Sequence, residues 1–190
     1  NDAEKMACAA DKWPREYVDN NLYFSRYKKE KINLLILGDM YDFLNPHMEH
    51  SYYVDMLCNK LNCNIITPTD IPEKSLREYK KAYQKIKELL PDFQGKYTHY
   101  WKSIKRLHTV DILIGDKIPI DGVLLVSDIW CEMFKEEAPL IIKILEDMSM
   151  PYYNLIFNID GLSTIDTILE SFVETLTEKR RRMEDGDNRD

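Results

Sequence analysis

Long apolar runs are missing from this chain. No stretch approaches the ~20 consecutive apolar residues that an α-helix needs to cross a bilayer, and no charged and then apolar leader opens the sequence. The expectation is a soluble, cytoplasmic protein with no membrane contact. Positive charge is also short. The 190 residues carry a net charge of −7 with a pI near 5.2, so no global field exists to hold phosphate backbones, and no nucleic-acid partner is expected. The one basic cluster, Lys179-Arg180-Arg181-Arg182, reads as a solvated helix end that complements the helix dipole.

Cysteine and glycine are scarce as well. Cys8, Cys58, Cys63 and Cys131 are too few for a secreted disulfide scaffold and form no CxxC pair, which leaves reduced thiols as the default. The glycines make neither GxGxxG nor GxxxxGK[ST]. Gly38-Asp39 is followed by bulky Met40, Tyr41 and Phe43, which would hold the backbone away from a pyrophosphate. NAD, FAD and P-loop nucleotide binding are therefore not expected. Nor is there a GxSxG elbow, because Ser127 precedes Asp128-Ile129. His47, His50, His99 and His108 have no evident partner. His47 and His50, with Glu49, make at most half of a metal site and read as surface residues.

What is present is a regular alternation of strands and helices. Ile120 to Cys131 and Met150 to Asp160 are continuous apolar runs, as parallel strands covered on both faces require, and a helical segment follows each. Upstream, Ile32 to Leu37 is a strand broken by Gly38-Asp39. A helix from His50 to Leu61 leads to a second strand, Cys63 to Thr67, closed by Pro68. Asp70 caps a helix expected to reach Leu90, and another is expected from Tyr97 to Ile114 with Gly115 as its cap. Pro139 is expected to split the helix after Cys131 into Glu132–Glu137 and Pro139–Met148. Ser163 or Thr164 caps the last helix, Ile165 to Arg181.

These elements predict one Rossmann-like, doubly wound α/β domain over 32–182, with a four-stranded parallel sheet in the order 2-1-3-4. Residues 1–31 read as an N-terminal arm and 183–190 as a disordered tail. The chain opens on Asn1, so it is also expected to be either a piece of a longer protein or to carry an added leader. In open α/β folds ligands bind outside the carboxyl ends of the strands. That places the candidate site at Gly38, Asp39 and Tyr41, at Ser127, Asp128 and Cys131, and at Asp160, near Asn158 to Gly161. Cys131 stands at the start of a helix, where amide groups favour a thiolate, so a reactive or metal-ligating thiol is one reading and a small buried hydrophobe beside Trp130 the other. Cys58 and Cys63 read as core. Three acids at the edge mean that a bound anion needs helix N-termini or a metal to offset them.

Several stretches resemble the 2-hydroxyacyl-CoA dehydratase and benzoyl-CoA reductase family, and the activase-associated branch in particular. They are Asp121-Gly122-Val123, the cysteine after that strand, Met150-Pro151 before the next, and Thr167-Ile168-Leu169-Glu170-Ser171-Phe172 in the last helix. Gly38-Asp39-Met40-Tyr41-Asp42, Asn45-Pro46, Leu61 to Thr67 and Tyr100-Trp101 extend the similarity over Ile32 to Leu176. The resemblance implies an electron-handling role in which Cys131 contributes to a [4Fe-4S] cluster that serves an acyl-CoA thioester, with an ATP-dependent activase as partner. One thiolate cannot hold four irons, so the other cysteines would come from another domain or subunit. Ile168 also stands where the family carries an arginine. The competing expectations are a degenerate, cluster-free module that binds a ligand or partner without catalysis, and a thiol-dependent enzyme using Cys131 as nucleophile.

Overall fold

The computed structural model describes residues 30–38, 53, 56–68, 71, 74, 78–89, 104–115, 119–128, 132–157 and 162–187. Strands β1 (Ile32–Gly38), β2 (Cys63–Ile66), β3 (Gly122–Asp128) and β4 (Tyr152–Phe157) form one parallel sheet in the order β2-β1-β3-β4, as the alternation of apolar runs and helices predicts. The helices are α1 (Lys80–Leu89), α2 (Ile104–Ile114), α3 (Glu132–Asp147) and α4 (Leu162–Asp187), with a π-helical turn at Met56–Lys60. Alternate strand residues supply two cores. Leu35, Leu37, Ile66, Val123 and Leu125 pack under α1, α2 and α3, while Leu34, Ile36, Leu124, Val126 and Leu155 pack under α4 and the π turn. No helix among the described residues is long and apolar enough to cross a membrane.

Three helix boundaries differ from the sequence reading. Pro139 does not divide α3, which is continuous. Its missing N–H falls on the exposed side of the helix, where water can take the orphaned carbonyl, while Ala138, Leu140, Ile141 and Ile144 anchor the other side in the core. The helix expected from Asp70 begins only at Lys80. Before it, the Ile71 N–H bonds back to the Pro68 carbonyl and the Tyr79 hydroxyl accepts the Lys74 N–H, so these two backbone donors are satisfied outside a helix. At the end of the chain α4 starts at Leu162, placing Ser163 and Thr164 inside its first turn, and runs to Asp187. Residues 183–187, expected in a disordered tail, are therefore helical.

The length of α4 has a tertiary cause. Its 26 residues extend for about 39 Å, well beyond the roughly 23 Å of β3. The surplus reaches the amino edge of the sheet, where Arg180 grips Asp121 through Nε to Oδ1 (3.1 Å) and Nη2 to Oδ2 (2.6 Å), and donates Nη1 to the Lys31 carbonyl (2.8 Å). Asp121 also takes the Asn33 N–H on Oδ2 (2.7 Å) and returns its own N–H to the Asn33 carbonyl (2.9 Å). One carboxylate thus ties β1, the start of β3 and α4 together. Arg180 is correspondingly no solvated residue: it is only 23% exposed and Asp121 19%.

Next to this clamp, Gly122 lets α4 approach β3. A Cβ there would stand 2.6 and 2.8 Å from the Leu176 methyls and 3.2 Å from Phe172. The Asp121-Gly122 pair is therefore architectural in its contacts. Replacing Arg180 by Ala should cost about 2–3 kcal/mol, because it leaves a half-buried carboxylate without its cation. Urea unfolding checks this, and a loss below about 0.5 kcal/mol contradicts the clamp. Gly122→Ala should cost about 1–3 kcal/mol through overpacking alone, and Leu176→Ala in the same chain should recover part of that loss.

Candidate functional site at the carboxyl edge

The sheet order reverses direction between β1 and β3, so their carboxyl ends flank the crevice where open α/β sheets take ligands. β1 ends at Gly38, whose φ of 112° is a conformation that side chains rarely tolerate. It pairs with Val126, and β3 continues past it through Ser127 and Asp128. Among the described residues β3 therefore reaches two positions beyond the end of β1. Ser127 and Asp128, as neighbours on one strand, occupy positions on opposite faces of the sheet. Ser127 shares its face with Val123 and Leu125, the face under α3, and is 3% exposed.

Asp39, Tyr41, Cys131 and Asp160 lie outside the described residues, as do His47, Glu49, His50 and His99. What the strands do establish is where each attaches. Cys131 follows the last residue of β3 by three positions and immediately precedes α3.

The other described cysteines are at the wrong end of the sheet to help it. Cys63 opens β2 opposite Ile32, below the level at which β3 begins. The end of β3 lies roughly 25 Å further along the strand direction, at about 3.3 Å per residue. Cys58 sits in the π turn that leads into β2, on the same side as Cys63. Among the described residues no group of three or more His, Cys, Asp or Glu side chains converges as a metal site. Taken alone, the described residues of this chain do not fit a four-iron cluster.

Cys63 is also chemically quiet. It is buried, its Sγ lies 3.6 Å from the Leu61 carbonyl, and burial, reinforced by Cys58, pushes its thiol up to about 12. At pH 8 it should resist iodoacetamide in the native protein and react once the chain is unfolded. Mass spectrometry of the labelled peptide reads this, and labelling of Cys63 in the native protein would contradict it.

His108, which has no evident partner in the sequence, is a buried polar residue of the α1–α2 side. Its Nε2 faces the Pro68 carbonyl at 3.0 Å, and a carbonyl only accepts, so Nε2 carries the proton. Nδ1 then accepts from the Tyr79 hydroxyl (3.0 Å), whose oxygen accepts the Lys74 N–H (2.8 Å). The chain leaving β2 is thereby held against α2 at the carboxyl edge. The only sequence signal for this was a histidine on the apolar stripe of a helix, one position after Leu107, and its partners come from 29 and 40 residues away.

No protein-family model, curated protein or solved structure matches this chain.

Proposed function

We propose that the chain is a Rossmann-like ligand-binding module whose working surface is the carboxyl edge of β1 and β3. The observation that carries this reading is the switch point itself: β1 ends at Gly38, at a φ open to glycine and level with Val126, while β3 runs on through Ser127 and Asp128. With the family resemblance of Ile32 to Leu176, the ligand class is an acyl-CoA thioester or its CoA moiety. The amino edge is occupied, among the described residues, by the Asp121–Arg180 clamp.

A second reading is favoured by one placement, that of Cys131 just past β3 and just before α3. In it, Cys131 is one ligand of a [4Fe-4S] cluster shared with another domain or subunit, in an electron-transferring dehydratase-like or activase-associated assembly served by an ATP-dependent activase. Cys58 and Cys63 cannot supply the remaining ligands from the opposite edge. The protein's part would be limited to one thiolate and its surroundings.

Hydrogen–deuterium exchange with coenzyme A and an acyl-CoA added separately tests the first reading. The expected result is slowed exchange confined to the carboxyl ends of β1 and β3, and protection at the amino edge or nowhere overturns it. Anaerobic iron and sulfide reconstitution separates the second reading. The chain alone should stay colourless, and co-expression with a cysteine-bearing partner domain should give brown protein only when Cys131 is intact; colour that survives Cys131→Ser excludes it.

A further inference from the structure

We infer that the α3 face of this carboxyl edge holds the oxyanion of a phosphate-bearing ligand, with the Ser127 hydroxyl as its hydrogen-bond donor. The inference rests on the carboxyl-edge reading above and adds the ligand's chemistry to it. Its starting point is a satisfaction problem. Asn33, Thr67, His108 and Ser127 are the buried polar or charged residues among those described. Asn33 accepts from Asn64 Nδ2 at 2.8 Å, His108 is held on both ring nitrogens, and Thr67 is engaged. The Ser127 hydroxyl has no partner among the described residues, although it is 97% buried. An unsatisfied buried hydroxyl is costly to retain where alanine would pack as well.

Its position points to the group that would satisfy it. Ser127 lies on the face covered by α3, whose Ala138, Ile141, Ile144 and Leu145 pack over Val123 and Leu125 lower on the same side of β3. From there α3 rises toward the carboxyl edge, so its amino terminus comes to the end of the strand that carries Ser127. A helix of 16 residues has the positive end of its dipole at that terminus, where the first N–H groups have no partner within the helix itself. A serine donor and helix amides together are complementary to an anionic oxygen. Ile156, paired with Ser127 across β3 and β4 and therefore on the same face, is 52% exposed although it is a large apolar residue in a strand. An apolar body attached to the oxyanion would lie against it.

Titration of the intact chain with inorganic phosphate and with phenyl phosphate, each against chloride at matched ionic strength, tests this by calorimetry and thermal unfolding. Both oxyanions should raise Tm, and phenyl phosphate should bind more tightly than phosphate. Ser127→Ala should weaken both about tenfold or more while leaving the ligand-free Tm unchanged or higher, since it removes an unsatisfied group. Ser127→Cys, of similar size, checks that packing is not the cause and should also lose affinity. Ile156→Ser should reduce only the advantage of phenyl phosphate. Binding of neither oxyanion, or equal binding by the wild-type and Ser127→Ala chains, overturns the inference. In that event coenzyme A protection at the ends of β1 and β3 would leave the broader carboxyl-edge reading standing, and its absence would remove both.

Discussion

A single carboxylate holds this fold in register. Asp121 uses its backbone N–H and one side-chain oxygen to complete the β1 ladder at Asn33, and the same carboxylate receives the Arg180 fork from the far end of α4. Because parallel strands cannot be closed by hairpins, their relative shift must be set by such contacts and by the crossover helices. Slippage of β3 against β1 by one residue would exchange the two cores and break this pairing at once. Gly122 completes the constraint by admitting Leu176 and Phe172 to the strand. The long final helix is in turn explained by its need to reach this point.

The consequence is a division of labour between the two ends of the sheet. The amino edge is occupied by charged and amide side chains that satisfy one another, including Asn33 with Asn64. The carboxyl edge has Gly38 in a backbone region that suits glycine, a buried hydroxyl at Ser127 and the His108–Tyr79–Pro68 chain that positions the segment after β2. Stability is concentrated at one end and unsatisfied chemistry at the other, which is why the latter is the reasonable place for a ligand. The motif that carries much of the family resemblance, Asp121-Gly122-Val123, belongs to the stabilising end. Its chemistry in this protein is packing and register, about 13–20 Å from Ser127 at about 3.3 Å per residue.

Legibility differed between levels of structure. The strands and their order could be read because continuous apolar runs separated by helical stretches admit few parallel arrangements, and right-handed crossovers leave fewer still. Helix ends were poorly legible. Pro139 signals a break by local rules, yet its orientation toward water makes the missing donor harmless, and no local pattern encodes which side of a helix will face water once it has docked. Arg180 looked like one member of a basic run, and only its distance to Asp121, 59 residues away, distinguishes it from its neighbours. The candidate edge was legible as chain positions, but the pleat separates Ser127 from Asp128 by face.

The sequence by itself determined an α/β chain with four buried parallel strands, its cores on both faces and the carboxyl edge as the place where polar residues gather. Those properties follow from apolar periodicity and from Gly38, which are local. Tertiary structure alone decided that Arg180 is a clamp, that His108 has two partners, that Cys58 and Cys63 lie at the amino end of the sheet, and that the Ser127 hydroxyl is buried without a partner among the described residues. Each of these depends on which distant segments the folded sheet brings side by side, and strand register, which no single stretch of sequence contains, sets that.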